Sequence, residues 1–123
     1  MKVTDSELKI LDSLWNESPL TVGQIIERVQ ENTDWHSNTI KTLLTRITKK
    51  NAVSRIKDGG RFFYSANISR DEVLMQESAG FLSKFFGGKV APFVAHFNKT
   101  NKLSNKEIEE LEAILTKMRK DND

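Results

Sequence analysis

From Ser37 to Lys57 the chain carries no acidic residue, while Ile40, Leu43, Leu44 and Ile47 recur at i, i+3, i+4, i+7. This stretch constrains the fold more than any other. The apolar spacing sends one stripe of a helix into a core. The remaining positions, Asn38, Thr39, Lys41, Thr42, Thr45, Arg46, Lys49 and Lys50, then make a cationic, hydroxyl-rich outer face. Ser37, ahead of the periodic run, is the expected N-cap. Charge is polarised around this helix. Residues 1–36 hold 3 basic and 7 acidic side chains, net −4; residues 37–70 hold 8 and 1, net +7; residues 71–123 hold 8 and 9, net −1. A basic block inside a chain of net charge +2 is the electrostatic footprint of a polyanion-binding surface. A plain solvated helix face has the same charge pattern, so charge alone does not separate the two.

The flanking segments supply the rest of a small domain. Thr4-Asp5-Ser6-Glu7 and Thr21-Val22-Gly23-Gln24 have capping-box spacing. Leu8, Leu11, Leu14 and Trp15 follow the first box, and that helix stops at Asn16-Glu17-Ser18-Pro19, because proline disfavours helical geometry in the residue before it. Val22, Ile25, Ile26 and Val29 follow the second box, in a helix expected to end near Asn32. After the basic helix, Val53-Ser54-Arg55-Ile56-Lys57 and Arg61-Phe62-Phe63-Tyr64-Ser65-Ala66 flank Asp58-Gly59-Gly60. This reads as a two-stranded hairpin with Lys57 and Arg61 beside its tip.

Three helices and a hairpin in that order are the winged helix-turn-helix arrangement, and the residue types suit its chemistry. A helix fits the major groove of B-DNA with its N-terminal side chains at the base edges. Arg and Lys pair with guanine, Asn with adenine, and Thr methyls pack on thymine. Asn38, Thr39, Lys41, Thr42 and Arg46 lie on the right turns for this. Lys49, Lys50 and Arg61 suit phosphates, which position a protein without reading sequence. The same basic helix in an adaptor would dock an acidic protein instead.

The second half has a different character. Ser69-Arg70-Asp71-Glu72 and Ser104-Asn105-Lys106-Glu107 are two more capping-box spacings. A helix from Ser69 should end at Gly87-Gly88, a short apolar segment should open at Pro92, and a last helix should follow Ser104, with residues 119–123 frayed. Six of the seven phenylalanines lie at or after Phe63, too many for short amphipathic helices to bury within one chain. A core shared with a second copy is expected, built from Val73, Phe81, Leu82, Phe85, Phe86, Phe93, Phe97, Ile108, Leu111 and Leu115.

Other function classes find little support. The chain has no cysteine, which removes disulfides, thiol catalysis and thiolate zinc sites. His36 and His96 stand alone, Gly59-Gly60 and Gly87-Gly88 lack the residues of a phosphate loop, and no nucleophile motif surrounds any serine. The acidic group Glu107, Glu109, Glu110 and Glu112 reads as the outer face of the last helix. No catalytic residue, metal or cofactor is expected. No apolar run approaches the ~18 residues of a membrane span. Without an apolar N-terminal segment to serve as a signal peptide, a cytoplasmic chain is expected.

The string Thr39-Ile40-Lys41-Thr42-Leu43-Leu44-Thr45-Arg46-Ile47-Thr48-Lys49-Lys50 resembles the recognition-helix signature of the BlaI/MecI/CopY family of bacterial repressors. Ser6-Glu7 to Leu14-Trp15, Asp34-Trp35, Phe62-Phe63-Tyr64-Ser65, and Leu103-Ser104 with Glu107 to Leu111 and Ile114-Leu115 are similar to its other segments. The resemblance covers essentially the whole chain. It implies a mostly α fold, with a winged helix-turn-helix DNA-binding domain over residues 1–68 and a helical dimerisation domain over residues 69–123. It implies a homodimeric transcriptional repressor on palindromic TACA/TGTA-type operators of resistance or homeostasis genes. In the penicillinase branch a membrane sensor peptidase cuts an Asn-Phe bond in the dimerisation domain. His96-Phe97 aligns with that pair, with histidine in place of asparagine. The copper branch uses paired Cys-x-Cys motifs, which this chain lacks, so the resemblance is to the penicillinase branch.

Overall fold

Hydroxyl caps set where most helices begin. Thr4 Oγ1 accepts from the Glu7 N–H at 3.2 Å while Glu7 Oε1 accepts from the Thr4 N–H at 2.9 Å. Thr21 and Gln24 repeat the exchange at 3.3 and 2.9 Å, and Ser69 and Glu72 at 3.0 and 3.4 Å. The computed structural model describes residues 2–123. Its elements are α1 (Asp5–Asn16), α2 (Val22–Gln30), α3 (Ser37–Lys49), β1 (Val53–Asp58), β2 (Arg61–Ala66), α4 (Arg70–Phe86), α5 (Val90–Thr100) and α6 (Asn105–Asp121).

Four local readings are corrected. Ser37 does not cap α3: it is the first helical residue, and His36 Nδ1 accepts the Asn38 N–H at 3.0 Å. At α6 only half of the capping box forms, with Ser104 Oγ accepting from the Glu107 N–H at 3.1 Å. Pro92 does not open α5 but is its third residue, a first-turn position whose missing N–H costs no helical bond. Arg119 and Lys120 belong to the last turn of α6, where positive charge meets the negative end of the helix dipole.

The chain divides into two compact units, Met1–Glu77 and Ser78–Asp123. The first is a winged helix. Ile10, Leu11 and Leu14 of α1, Ile25 and Val29 of α2, and Ile40, Leu43, Leu44 and Ile47 of α3 are buried together with Leu20, Ala52, Val53 and Ile68. Each large aliphatic side chain sealed this way contributes about 1.5–3 kcal/mol. Trp15 Nε1 donates to the Ile68 carbonyl at 2.9 Å, which ties α1 to the chain leaving the hairpin. Strands β1 and β2 pair antiparallel from Val53↔Ala66 to Asp58↔Arg61. Leu20 adds a one-residue third rung, exchanging two backbone bonds with Tyr64. Gly59 and Gly60 hold φ of 59° and 80°, the paired positive φ that a two-residue hairpin turn demands.

The second unit is helical. Gly87 and Gly88, at φ 59° and 79°, end α4, and the Gly88 N–H donates to the Leu82 carbonyl at 2.9 Å. No residue from Ser78 to Asp123 is buried. Among the described residues no helix is long and apolar enough to cross a membrane.

Candidate nucleic-acid interface

Helix α3 sinks Ile40, Leu43, Leu44 and Ile47 into the core, so its remaining positions face outward by geometry alone. Asn38, Thr39, Lys41, Thr42, Thr45, Arg46 and Lys49 are all exposed; Ser37 is half-buried. Two of these threonines, Thr42 and Thr45, are not free donors. Thr42 Oγ1 donates to the Asn38 carbonyl at 2.9 Å and Thr45 Oγ1 to the Lys41 carbonyl at 3.0 Å. Each hydroxyl hydrogen is committed within the helix, which leaves an acceptor lone pair and a methyl group available outside.

The two lysines at the end of α3 differ. Lys49 is exposed, whereas Lys50 is half-buried and turned toward α1. Its Nζ donates to Glu7 Oε1 at 2.7 Å and to the Lys2 carbonyl at 3.0 Å. The Glu7 side chain is 0% exposed. Its second oxygen, Oε2, accepts no hydrogen bond among the described residues and lies 3.4 Å from the Arg46 guanidinium. Burial pushes the Glu7 carboxyl up, but Lys50 and the Thr4 N–H outweigh burial and hold it below its ordinary value. Helix α3 stops just beyond, where Asn51 takes φ 64° and the Ala52 N–H bonds back to the Ile47 carbonyl.

The hairpin adds a second basic group. Lys57 and Arg61 are exposed beside the Gly59-Gly60 turn. Arg55, which sequence reasoning passed over, stacks its guanidinium 4.1 Å from the centre of the Phe62 ring, with Lys57 Nζ 5.8 Å from the same ring. The signal was present in the alternation. Arg55 and Lys57 share one face of β1, and Phe62 is the cross-strand partner of Lys57.

The expected dimerisation residues separate into two groups. Val73 is 4% exposed inside the core of the first unit. Phe81, Phe85, Phe86, Phe93 and Phe97 form one aromatic chain in the second unit, with successive centroids 5.4–6.0 Å apart. Phe81, Phe85, Phe97, Ile108 and Leu115 are exposed; Leu82, Phe86, Phe93 and Leu111 are half-buried. An apolar groove runs between α5 and α6, lined by Phe93, Val94, Phe97, Leu103, Leu111 and Ile114. His96-Phe97 lies inside α5, so a protease reaches that bond only after local opening of the helix. Among the described residues no group of His, Cys, Asp or Glu could hold a metal ion.

Comparison with known proteins agrees with this geometry. The sequence profile of the penicillinase repressor family matches residues 3–117. The chain is 33% identical over 120 residues to the penicillinase repressor of Staphylococcus aureus, covering 98% of this chain and 95% of that one. It is 32% identical over 114 residues to the penicillinase repressor of Bacillus licheniformis, covering 93% and 89%. It also superposes in part on the solution structure of the monomeric Bacillus licheniformis BlaI in complex with the blaP half-operator. The TM-score is 0.52 and the identity 29%, over 58% of this chain and 88% of that one. A profile match across almost the full length, with the winged helix in place, settles membership: the chain belongs to the penicillinase repressor family.

Proposed function

We propose that the chain is a sequence-specific transcriptional repressor that binds duplex operator DNA as a homodimer. The observation that carries this reading is the outer face of α3, where Asn38, Thr39, Lys41, Thr42, Thr45, Arg46 and Lys49 stand exposed on a helix whose opposite side is locked in the core. A helix so mounted enters the major groove with its N-terminal turns at the base edges. Asn38, Thr39, Lys41, Thr42 and Arg46 then face bases, with Ser37 and Thr45 beside them, while Lys49, Lys57 and Arg61 face phosphates. Lys50 reaches a phosphate only by leaving Glu7. Residues 1–68 serve DNA binding and residues 69–123 dimerisation, with the phenylalanine row of α4 and α5 and the apolar face of α6 meeting a second copy. The target is a palindrome, since a two-fold protein reads a two-fold site, and the family resemblance implies one of TACA/TGTA type. Release follows cleavage within α5, at or beside His96-Phe97, by a membrane sensor peptidase acting on a locally opened helix. A mobility-shift assay with a palindromic TACA/TGTA duplex against a scrambled competitor tests the function. A shift that the scrambled duplex fails to compete supports it; equal competition by both duplexes favours an adaptor for acidic proteins and overturns it.

A further inference from the structure

Glu7 is a charged side chain with no exposure to solvent, and the DNA-reading face does not include it. Burying a carboxylate is costly unless it is paired, so its partners say what it is for. The charged partners it has outside its own helix come from the C-terminal half of α3 and from its C-cap residue, Lys50. Lys50 Nζ sits 2.7 Å from Oε1, and an Arg46 guanidinium nitrogen sits 3.4 Å from Oε2. The Thr4 N–H donates to Oε1 as well, so that oxygen serves both the cap of α1 and the grip on Lys50. Oε2 is buried and, among the described residues, accepts no hydrogen bond; the charge it faces there is that of Arg46. Arg46 itself keeps 49% of its side chain exposed, so it lies within ion-pair distance of Oε2 and is still open to solvent.

We propose that Glu7 is a specificity-determining positioning residue that never touches DNA: it braces Arg46 for base reading and keeps Lys50 off the phosphates. The inference rests on the repressor reading above. Its physical content is a competition. Phosphates and Glu7 are rival anions for the same two cations. A cation held by Glu7 adds nothing to sequence-independent attraction, whereas a braced guanidinium loses less freedom when it pairs with guanine. Glu7 therefore lowers non-specific binding and favours the operator.

The test is a double-mutant cycle on the full-length protein: wild type, Glu7→Gln, Lys50→Gln and the double variant. Affinity for a palindromic TACA/TGTA duplex and for a scrambled duplex is measured by fluorescence anisotropy across a salt series, with circular dichroism to verify folding. Each cation that reaches a phosphate steepens the plot of log affinity against log salt by about 0.9. Glu7→Gln is expected to steepen the slope by about that amount and to reduce the operator-to-scrambled ratio by about threefold or more. Lys50→Gln is expected to change the slope by less than about half a unit in the wild-type background and by about 0.9 in the Glu7→Gln background. Equal effects of Lys50→Gln in the two backgrounds, or an unchanged operator preference in Glu7→Gln, would overturn the proposal while leaving the repressor reading intact. A wild-type chain with no operator preference overturns both. Should Glu7→Gln fail to fold, Lys50→Gln alone decides: a full unit lost from the wild-type slope counts against the brace, and less than half a unit supports it.

Discussion

Lys49 and Lys50 are adjacent and chemically identical, yet one stands in solvent and the other closes over a buried carboxylate. Helical geometry separates them by about 100°, enough to move a side chain from the solvent side to the α1 side. The difference makes residue-level predictions distinct. If Arg46 reads a base as proposed, Arg46→Ala should lower operator affinity by ~1–3 kcal/mol while affecting scrambled DNA much less. If Lys49 meets a phosphate as proposed, Lys49→Ala should weaken both duplexes alike and flatten the salt slope by about one unit. Operator and scrambled titrations at several salt concentrations check both. Glu7 also has a pH signature. Its carboxyl titrates below its ordinary value in the folded chain, so between those two values the unfolded chain binds more protons. The stabilisation Glu7 supplies is therefore complete above the ordinary carboxylate pKa of about 4.3, and it is lost as pH falls through the lower folded value. Urea midpoints at neutral pH and at successively lower pH should fall further for wild type than for Glu7→Gln. Equal falls would show that Glu7 is not the titrating group.

At the scale of elements, the α1 cap does two things, because Glu7 both completes the capping box and holds α3. Thr4→Ala should cost ~1 kcal/mol, the usual loss for a threonine cap, measurable as a lower urea midpoint with an unchanged slope. A fall of several kcal/mol would mean that the cap also sets the Glu7–Lys50 pair. The fold was legible in the sequence wherever local signals agreed. Caps at Thr4, Thr21 and Ser69, the 3.6-residue apolar period of α1 to α3 and the Gly59-Gly60 turn each act over a few residues and point to one structure. What escaped was long-range or depended on a single atom. The Glu7–Lys50 bond joins residues 43 apart in sequence and exists only because α1 crosses the end of α3. The His36 cap depends on one ring nitrogen being an unprotonated acceptor, which residue type alone does not give. Val73 fits the apolar period of α4 whether it faces its own core or a partner; only its packing within the first unit separates the two. Arg55 was legible in principle from strand alternation, but the tip of the hairpin drew attention to Lys57 and Arg61 instead.

At the scale of the whole molecule, the two units have opposite economies of burial. The first seals its aliphatic residues, while the second, from Ser78 to Asp123, seals none and leaves Phe85 61% exposed on a row of touching aromatic rings. A polar environment would not select five phenylalanines within seventeen residues, and an apolar surface of that kind marks an interface. If a second copy covers it, Phe85→Glu places a carboxylate in the middle of the buried patch and separates the subunits without removing any side chain from a closed core. Light scattering should then report the monomer mass where wild type gives twice that value, with an unchanged helical circular dichroism spectrum. Operator affinity should fall by about 10²–10⁴-fold, because each half-site then binds alone and the second contact is no longer intramolecular. Binding to an isolated half-site should stay within experimental error of wild type, since α3 and the hairpin lie in the other unit. A variant that loses its helical signal would instead assign Phe85 to its own subunit's core. A wild-type chain that scatters as a monomer at micromolar concentration would remove the dimer altogether, and with it the reason for a palindromic target.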